Sequence, residues 1–204
     1  MMKKILLTII VAGGLFSGVA WAEKTIHLAT SEREPYIGVN LPNNGYVYEL
    51  VSEAFKRVGY DVEISFYPWA RAVRNVEKGQ LHGLLPVYYD ESLAGDLVFS
   101  DPFPGGKIGL LKKKTTTVTY TVDPGSNQTE ALRSLRDYTF GVVRGSVNTP
   151  EFDAADVLKK DFVTTDMQNL LKLFKGRIDF IVIDKYTAAD IMVNKLPHLI
   201  GQLE

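Results

Sequence analysis

Apolar residues between positions 25 and 87 alternate between the spacing of strands and the spacing of helices. Val47, Val51 and Val58 recur at intervals that place them on one face of a helix, and Gly59 follows as a stop signal. Pro68 stands where a proline opens the first turn of a helix. The pattern therefore predicts strands over 25–29, 62–66 and 81–87, with helices over 46–58 and 68–78.

Positions 138–195 repeat this order. The pattern predicts strands over 138–143, around 162–163 and over 178–183, with helices over 166–175 and 186–195. Thr149 and Pro150 match an N-cap and the first residue of a helix, and Gly176 ends the helix over 166–175. Two β-α-β-α-β units predict an α/β protein with two lobes, each a mostly parallel sheet flanked by helices.

The segment between the two units predicts where the first lobe ends. Residues 106–111 have the pattern of a strand that carries the chain out of the first lobe. Residues 112–128 are rich in Lys, Thr, Gly, Ser and Asn, which is typical of a crossover and a surface loop. The predicted organisation is a first lobe over 23–111, a connection over 112–128 and a second lobe over 129–204.

The first 22 residues have the three parts of a secretory signal peptide. Lys3 and Lys4 precede an apolar run over 5–16, and Ala20-Trp21-Ala22 fits the cleavage site. The apolar run is too short to span a bilayer, so the alternative of an uncleaved anchor is disfavoured. Because the chain has no cysteine, no lipid is attached through one. We expect a periplasmic protein, free of the membrane, that begins at Glu23.

Composition excludes several classes of protein. Removing residues 1–22 from the 204-residue chain takes away two of its 23 basic residues, which leaves 182 residues with 21 basic and 24 acidic side chains. A mildly acidic chain without a basic run is a poor nucleic-acid binder. The absence of cysteine excludes disulfides, so the 46% of hydrophobic residues must form a sufficient core.

Ligands of open parallel sheets bind beyond the carboxyl ends of the strands, near helix N-termini. Aromatic rings, guanidinium groups, a hydroxyl and a carboxylate follow the predicted strands, and such a set suits a small polar molecule. The candidate ligand-binding residues are Arg33, Tyr36, Trp69, Arg71, Tyr88, Arg144, Ser146 and Asp184. The alternatives are ordinary loop residues, a helix-surface charge at Arg71 and a helix cap at Asp184.

Several motifs resemble those of bacterial extracellular solute-binding protein family 3, which includes the periplasmic polar amino-acid receptors. They are Glu34-Pro35-Tyr36, residues 45–55, Phe99-Ser100-Asp101-Pro102-Phe103 and residues 176–184. The Pro68-Trp69-Ala70-Arg71-Ala72 run resembles a subgroup of that family. The resemblance covers nearly all of 25–203. It implies a monomer with a two-lobed fold that closes on a small amino-acid-like ligand, without cofactor or metal.

The resemblance also implies roles for individual residues. Asp184 matches the position that holds the ligand ammonium, and Gly145-Ser146 matches a turn that holds its carboxylate. Leu93 stands at the position of the family's arginine clamp, and Arg33 at that of its stacking aromatic ring, with Tyr36 as the nearby ring. The departures put α-amino-acid binding in question, and Arg33, Arg71 or Arg144 would replace the clamp.

Family members return from the second lobe to the first, and this sequence ends at Glu204. The expectation is therefore a C-terminally truncated chain whose first lobe lacks its returning strand. An ABC permease is the expected partner, and a membrane sensor is the alternative. A periplasmic enzyme on the same fold is disfavoured, because neither a Gly-x-Ser-x-Gly elbow, nor a His-Glu-x-x-His helix, nor a P-loop occurs.

Overall fold

A computed structural model describes residues 24–204 except 90, 92, 96, 120 and 124. The predicted signal peptide lies outside the described residues. Within the described part of the chain, no helix combines the length and the apolar character needed to cross a membrane.

The first sheet has three parallel strands, as the alternating pattern predicts. They are β1 (Lys24–Thr30), β2 (Tyr60–Phe66) and β3 (Gly83–Leu84), in the order β2-β1-β3. The strand predicted over 81–87 is therefore too long, because only two of its residues pair with β1. Pro86 has no amide hydrogen to donate to a neighbouring strand, so pairing does not continue through it.

Helices α1 (Tyr46–Arg57) and α2 (Trp69–Glu77) cover opposite faces of this sheet. Successive side chains of a strand point to opposite faces. Leu28 accordingly packs in the cluster that contains Val47 of α1, whereas Ala29 packs with Trp69 of α2. Two details differ from the prediction: Pro68 is the N-cap of α2 and not its first residue, and Val58 lies beyond the end of α1 and is exposed.

The second sheet has four strands: β4 (Ile108–Lys112), β5 (Thr139–Val143), β6 (Lys159–Val163) and β7 (Phe180–Asp184). Their order is β4-β7-β5-β6, with β5 parallel to β6 and β7, and β4 antiparallel to β7. The strand predicted over 106–111 thus pairs within the second sheet, and the predicted boundary after residue 111 falls inside β4. Residues 202–204 run beside β4, where the amide of Glu204 donates to the Lys112 carbonyl at 2.9 Å.

The helices of the second lobe are α3 (Gln128–Ser134), α4 (Pro150–Asp153), α5 (Asp166–Phe174) and α6 (Lys185–Asp190). The predicted N-cap at Thr149 is confirmed, because its hydroxyl accepts a hydrogen bond from the amide of Phe152. The helix predicted over 186–195 is divided into α6 and a π-helix at Ile191–Lys195, followed by a short 3₁₀ helix at Pro197–Leu199.

Candidate functional site

A cavity of about 60 Å³ lies between the two sheets, where the carboxyl ends of their parallel strands meet. Both lobes line it, since residues that follow β1, β2 and β3 face residues that follow β5, β6 and β7. Its polar lining residues are Arg33, Tyr88, Ser146, Asn148, Asp166, Asp184 and Thr187. Its volume has room for about four to six water molecules, so it suits a small polar group.

Asp184 is the residue most heavily hydrogen-bonded at this cavity. Its Oδ1 caps α6 by accepting hydrogen bonds from the amides of Tyr186 and Thr187, at 2.9 and 2.8 Å. From the first lobe, the Tyr36 hydroxyl donates to Oδ1 at 2.9 Å and the Tyr88 hydroxyl donates to Oδ2 at 2.7 Å. The carboxylate is therefore a helix cap and a bridge between the lobes, and only 7% of the residue is exposed.

The two tyrosines are held in their neutral form. Burial raises the pKa of the Tyr36 and Tyr88 hydroxyls, and the hydrogen bond to the charged Asp184 raises it further. Ionisation of either hydroxyl would remove the proton that it donates and place two negative charges side by side. Both tyrosines consequently act as hydrogen-bond donors to Asp184 at neutral pH.

Gly106 packs directly against this network. A β-carbon built on Gly106 would overlap Asp184 Oδ2 and would lie 2.5 Å from the Tyr36 hydroxyl oxygen. The Gly106 carbonyl also accepts from the Tyr88 hydroxyl at 3.3 Å. The connecting segment between the lobes thus closes over the carboxylate, and any side chain at position 106 would displace it.

A second contact between the lobes involves Trp69 and the turn after β5. The indole Nε1 of Trp69 donates to the Gly145 carbonyl at 2.9 Å. Gly145 has a positive φ of 78°, and a β-carbon there would lie 3.2 Å from the Cα of Ala70. This turn therefore favours glycine for its backbone conformation and for the close approach of the first lobe.

Arg33 provides the positive charge of the cavity. Its guanidinium carbon lies 5.3 Å from the centre of the Trp69 ring, in the geometry of a cation–π interaction. Among the described residues, no hydrogen bond or salt bridge joins the guanidinium to another group, so its N–H groups are free for a ligand. Arg33 also lines a neighbouring pocket of about 390 Å³, which is walled by aromatic rings and prolines and shares Val87 and Tyr88 with the cavity.

Asp166 provides a second carboxylate. It is the first residue of α5 and is half-buried, and Thr165 rather than Asp166 caps the helix. Burial raises the pKa of Asp166 to about 6; the charge of Arg33 lowers this pKa and the charge of Asp184 raises it. Asp166 is thus a group of the cavity that gains or loses its charge near pH 6.

The structure brings together most of the residues that the sequence nominated. Arg33, Trp69, Tyr88, Ser146 and Asp184 line the cavity, and Tyr36 reaches it through its bond to Asp184. Leu93, at the position of the family's arginine clamp, lines it as well.

Arg71 and Arg144 lie elsewhere. The guanidinium of Arg71 is over the Tyr67 ring at 5.2 Å, and that of Arg144 is over the Phe162 ring at 6.0 Å. Both side chains are exposed and neither lines the cavity. Each packs its charge on an aromatic ring at the surface of its own lobe, so neither stands in for the missing clamp in this arrangement.

Sequence reasoning missed Asp166, Asn148 and Thr187, which also line the cavity. The predictions of a strand around 162–163 and of a helix over 166–175 put Asp166 at the junction of the two elements. The usable signal was the position of Asp166 at the start of a helix that follows a strand. Thr187 gave no such signal, because it lies within the helix and not at the junction of a strand and a helix.

Comparisons with known proteins support the architecture. No family model and no curated protein matches the chain. Among solved structures, an ancestral arginine-binding protein bound to arginine is similar, with 18% identity, a TM-score of 0.68 and coverage of 89% of this chain and 78% of that one. The amino acid ABC transporter substrate-binding protein AbpA of Streptococcus pneumoniae, bound to L-arginine, has 17% identity, a TM-score of 0.65 and coverage of 88% and 73%.

The ligand-binding core of GluR0 from Nostoc punctiforme, in complex with L-glutamate, is also similar. It shares 14% identity and a TM-score of 0.68, over 88% of this chain and 77% of that one. At these identities the likeness defines the fold. The chain has the two-lobed α/β fold of the periplasmic binding proteins, with largely parallel sheets flanked by helices.

Proposed function

We propose that the protein binds a small polar, amino-acid-like molecule in the cavity between its two lobes. The observation that carries this proposal is the composition of the cavity. The guanidinium of Arg33 from the first lobe and the carboxylate of Asp166 from the second line it together, along with the hydroxyl-bearing residues Tyr88 and Ser146. A guanidinium binds a carboxylate through two parallel hydrogen bonds, and a carboxylate binds an ammonium group. A ligand with both charges matches this cavity.

Binding is coupled to closure of the lobes. The lobes already touch through Trp69 and Gly145 and through the tyrosines that bind Asp184. Glu34 and Lys195 add a salt bridge across the same junction. A ligand that contacts residues of both lobes favours the closed arrangement by the contacts that it makes only there, and rotation about the connecting segments releases it.

The lobes follow the sheets. We assign β1–β3 with α1 and α2 to the first lobe and β4–β7 with α3–α6 to the second. The connection then includes residues 99–107, between the end of the first sheet and β4. This assignment moves the start of the second lobe ahead of the boundary predicted from composition, because β4 pairs with β7.

We further propose that the protein acts in the periplasm after removal of residues 1–22 and delivers its ligand to an ABC transporter. Likeness to an ABC transporter substrate-binding protein supports this role. The second candidate is a sensing module for a membrane protein, which the likeness to the GluR0 ligand-binding core supports. Transport predicts neighbouring genes for a permease and an ATPase, whereas sensing predicts a membrane kinase or cyclase.

Ligand binding is tested by thermal unfolding of the purified protein with the twenty L-amino acids, organic acids, small peptides and polyamines. A compound at 100 times its dissociation constant is expected to add about 2.7 kcal/mol to the free energy of unfolding. Arg33→Met keeps the contact with Trp69 and removes the charge, so affinity should fall about tenfold or more. Arg74→Met, on the exposed side of α2, is the matched control and should bind as the wild type.

The proposal is wrong if no compound raises the unfolding temperature and titration calorimetry detects no heat of binding. Equal loss of affinity in Arg33→Met and Arg74→Met would place the binding site outside the cavity.

A further inference from the structure

The carboxylates of Asp184 and Asp166 differ in how much of their hydrogen-bond acceptor capacity is left for a ligand. A carboxylate offers about four lone-pair sites. Asp184 accepts four hydrogen bonds, two from tyrosine hydroxyls and two from backbone amides of α6. Gly106 covers its Oδ2. Oδ1 accepts three of these bonds and Oδ2 accepts one, so an ammonium group would have to displace Gly106 or a tyrosine in order to reach Asp184.

The Asp166 carboxylate has no such set of partners. Within the described part of the chain, no hydrogen bond or salt bridge joins it to another group, and the N-cap of its helix is Thr165. It lines the cavity and is half-buried. A partly buried carboxylate without such partners is stabilised by a cationic hydrogen-bond donor that enters the cavity.

Thr187 gives an independent indication of the same kind. The residue is 3% exposed, and its hydroxyl oxygen has no hydrogen-bond partner among the residues that the structure describes, although its backbone amide binds Asp184. Thr187 also lines the cavity. Buried hydroxyls are normally paired. The Thr187 oxygen has almost no accessible surface in this arrangement, so a ligand in the cavity would reach it after a small shift of the side chains that cover it.

Arg33 indicates which second charged group the ligand carries. Its guanidinium is stacked on Trp69, with its N–H edge free, and it lines the same cavity as Asp166. No salt bridge joins Arg33 to Asp166 among the described residues, so each charge is open to a group of opposite sign. The small cavity volume favours a ligand whose two charges lie close together, as in an α-amino acid.

We propose, as a refinement that rests on the proposed function, that Asp166 and Thr187 form the subsite for the ligand's protonated amine. The carboxylate of the same zwitterion binds Arg33. Asp184, by contrast, holds the two lobes together and caps α6, and does not contact the amine.

The test compares each of the twenty L-amino acids with the 2-hydroxy acid that has the same side chain, by titration calorimetry. The wild-type protein should bind at least one amino acid at least tenfold more tightly than the matching hydroxy acid, because the charge-assisted contact to Asp166 is lost with the amine. Asp166→Asn should reduce this ratio to near one. Thr187→Val, which keeps the shape of the side chain, should weaken binding of the amino acid about three- to tenfold.

Glu151→Gln is the matched control, since it removes an exposed carboxylate from the first turn of α4 and should leave the ratio unchanged. Unfolding temperatures of all variants establish that each is folded. The inference is overturned if Asp166→Asn keeps the ratio, or if Asp184→Asn rather than Asp166→Asn removes it; in both cases the proposed function stands. A wild-type protein that binds none of the amino acids overturns the inference, and one that binds none of the screened compounds overturns the proposed function as well.

Discussion

Asp184 and Asp166 occupy similar places in the second lobe but have different surroundings. Each lies where a strand gives way to a helix, and each lines the cavity between the lobes. Asp184 receives hydrogen bonds from Tyr36, Tyr88 and the start of α6, whereas burial of Asp166 raises its pKa to about 6. The groups that the opposite lobe places against a carboxylate at a strand end therefore decide whether it has a structural role or is free to bind a ligand.

The largest effect is expected at Asp184. Asp184→Ala removes the cap of α6 and the carboxylate that accepts from the hydroxyls of Tyr36 and Tyr88, of which Tyr36 keeps no other acceptor among the described residues. A lost cap costs about 1 kcal/mol, and a buried polar group left unpaired costs about 1–3 kcal/mol. The free energy of unfolding, measured in urea, should therefore fall by about 3–5 kcal/mol.

Asp184→Asn separates the cap from the charge. Asparagine caps helices about as well as aspartate, and its side-chain oxygen still accepts from the α6 amides. We expect this variant to lose less than half of the stability that Asp184→Ala loses. A loss under about 1 kcal/mol in Asp184→Ala would contradict the structural role.

The next effect concerns Asp166 and pH. Its folded-state pKa of about 6 lies above the ordinary value of 3.8, because burial disfavours the charge. The folded state holds this proton more tightly than the unfolded state does. The contribution of protonated Asp166 to the free energy of unfolding is therefore complete below pH 3.8 and is lost as pH rises through 6. The charged and titratable groups that share its cavity are Arg33, Asp184 and Tyr88.

Asp166→Asn has no proton to lose. Relative to the wild type, it should gain stability between pH 4 and pH 7, on the order of 2–3 kcal/mol, as urea unfolding at a series of pH values would measure. If the free energies of unfolding of the two proteins changed with pH in parallel, the carboxyl of Asp166 would not be desolvated in the folded state.

A smaller effect is expected for the tyrosines. Tyr36→Phe removes one of the four hydrogen bonds to Asp184 while it keeps the ring that packs in the core of the first lobe. The expected loss is about 1–2 kcal/mol. In a double-mutant cycle with Asp184→Asn, the two losses should be non-additive by about 0.5 kcal/mol or more, since the groups are in contact. Additive losses would indicate that the bond across the lobes contributes nothing.

The smallest effect is expected at Thr187. Its buried hydroxyl has no partner in the described part of the chain, so Thr187→Val removes an unsatisfied polar atom and keeps the branched shape. Without ligand, stability should be unchanged or rise by up to about 1 kcal/mol. A loss of 2 kcal/mol or more would show that the hydroxyl is paired within the protein and is not available to a ligand.

Much of the fold was predictable because its elements depend on local pattern. The apolar face of α1, the cap at Thr149 and the run of apolar residues that forms β7 are properties of short segments. The length of β3 and the partner of β4 were not predictable, because pairing depends on which strands lie beside them. β4 joins β7, whose paired residues lie 68 to 76 positions away in the chain.

The site divides in the same way. Position at a strand end was enough to nominate Arg33, Trp69 and Asp184, and the topology of parallel sheets brings such residues to one edge. The same rule nominated Arg71 and Arg144, whose side chains stack on rings away from the cavity. Placement of a backbone at an edge does not determine the direction of a long, flexible side chain.

The sequence by itself determined the order of strands and helices, the two-lobed architecture and the edge where polar groups gather. Only the tertiary structure decided that, among the residues it describes, Asp184 is paired and Asp166 is not. Tyr36 donates to Asp184 from 148 residues away, and the burial that raises the pKa of Asp166 results from the meeting of two lobes. Hydrogen-bond pairing and removal from water depend on every group that surrounds an atom, and distant segments of the chain supply most of those groups.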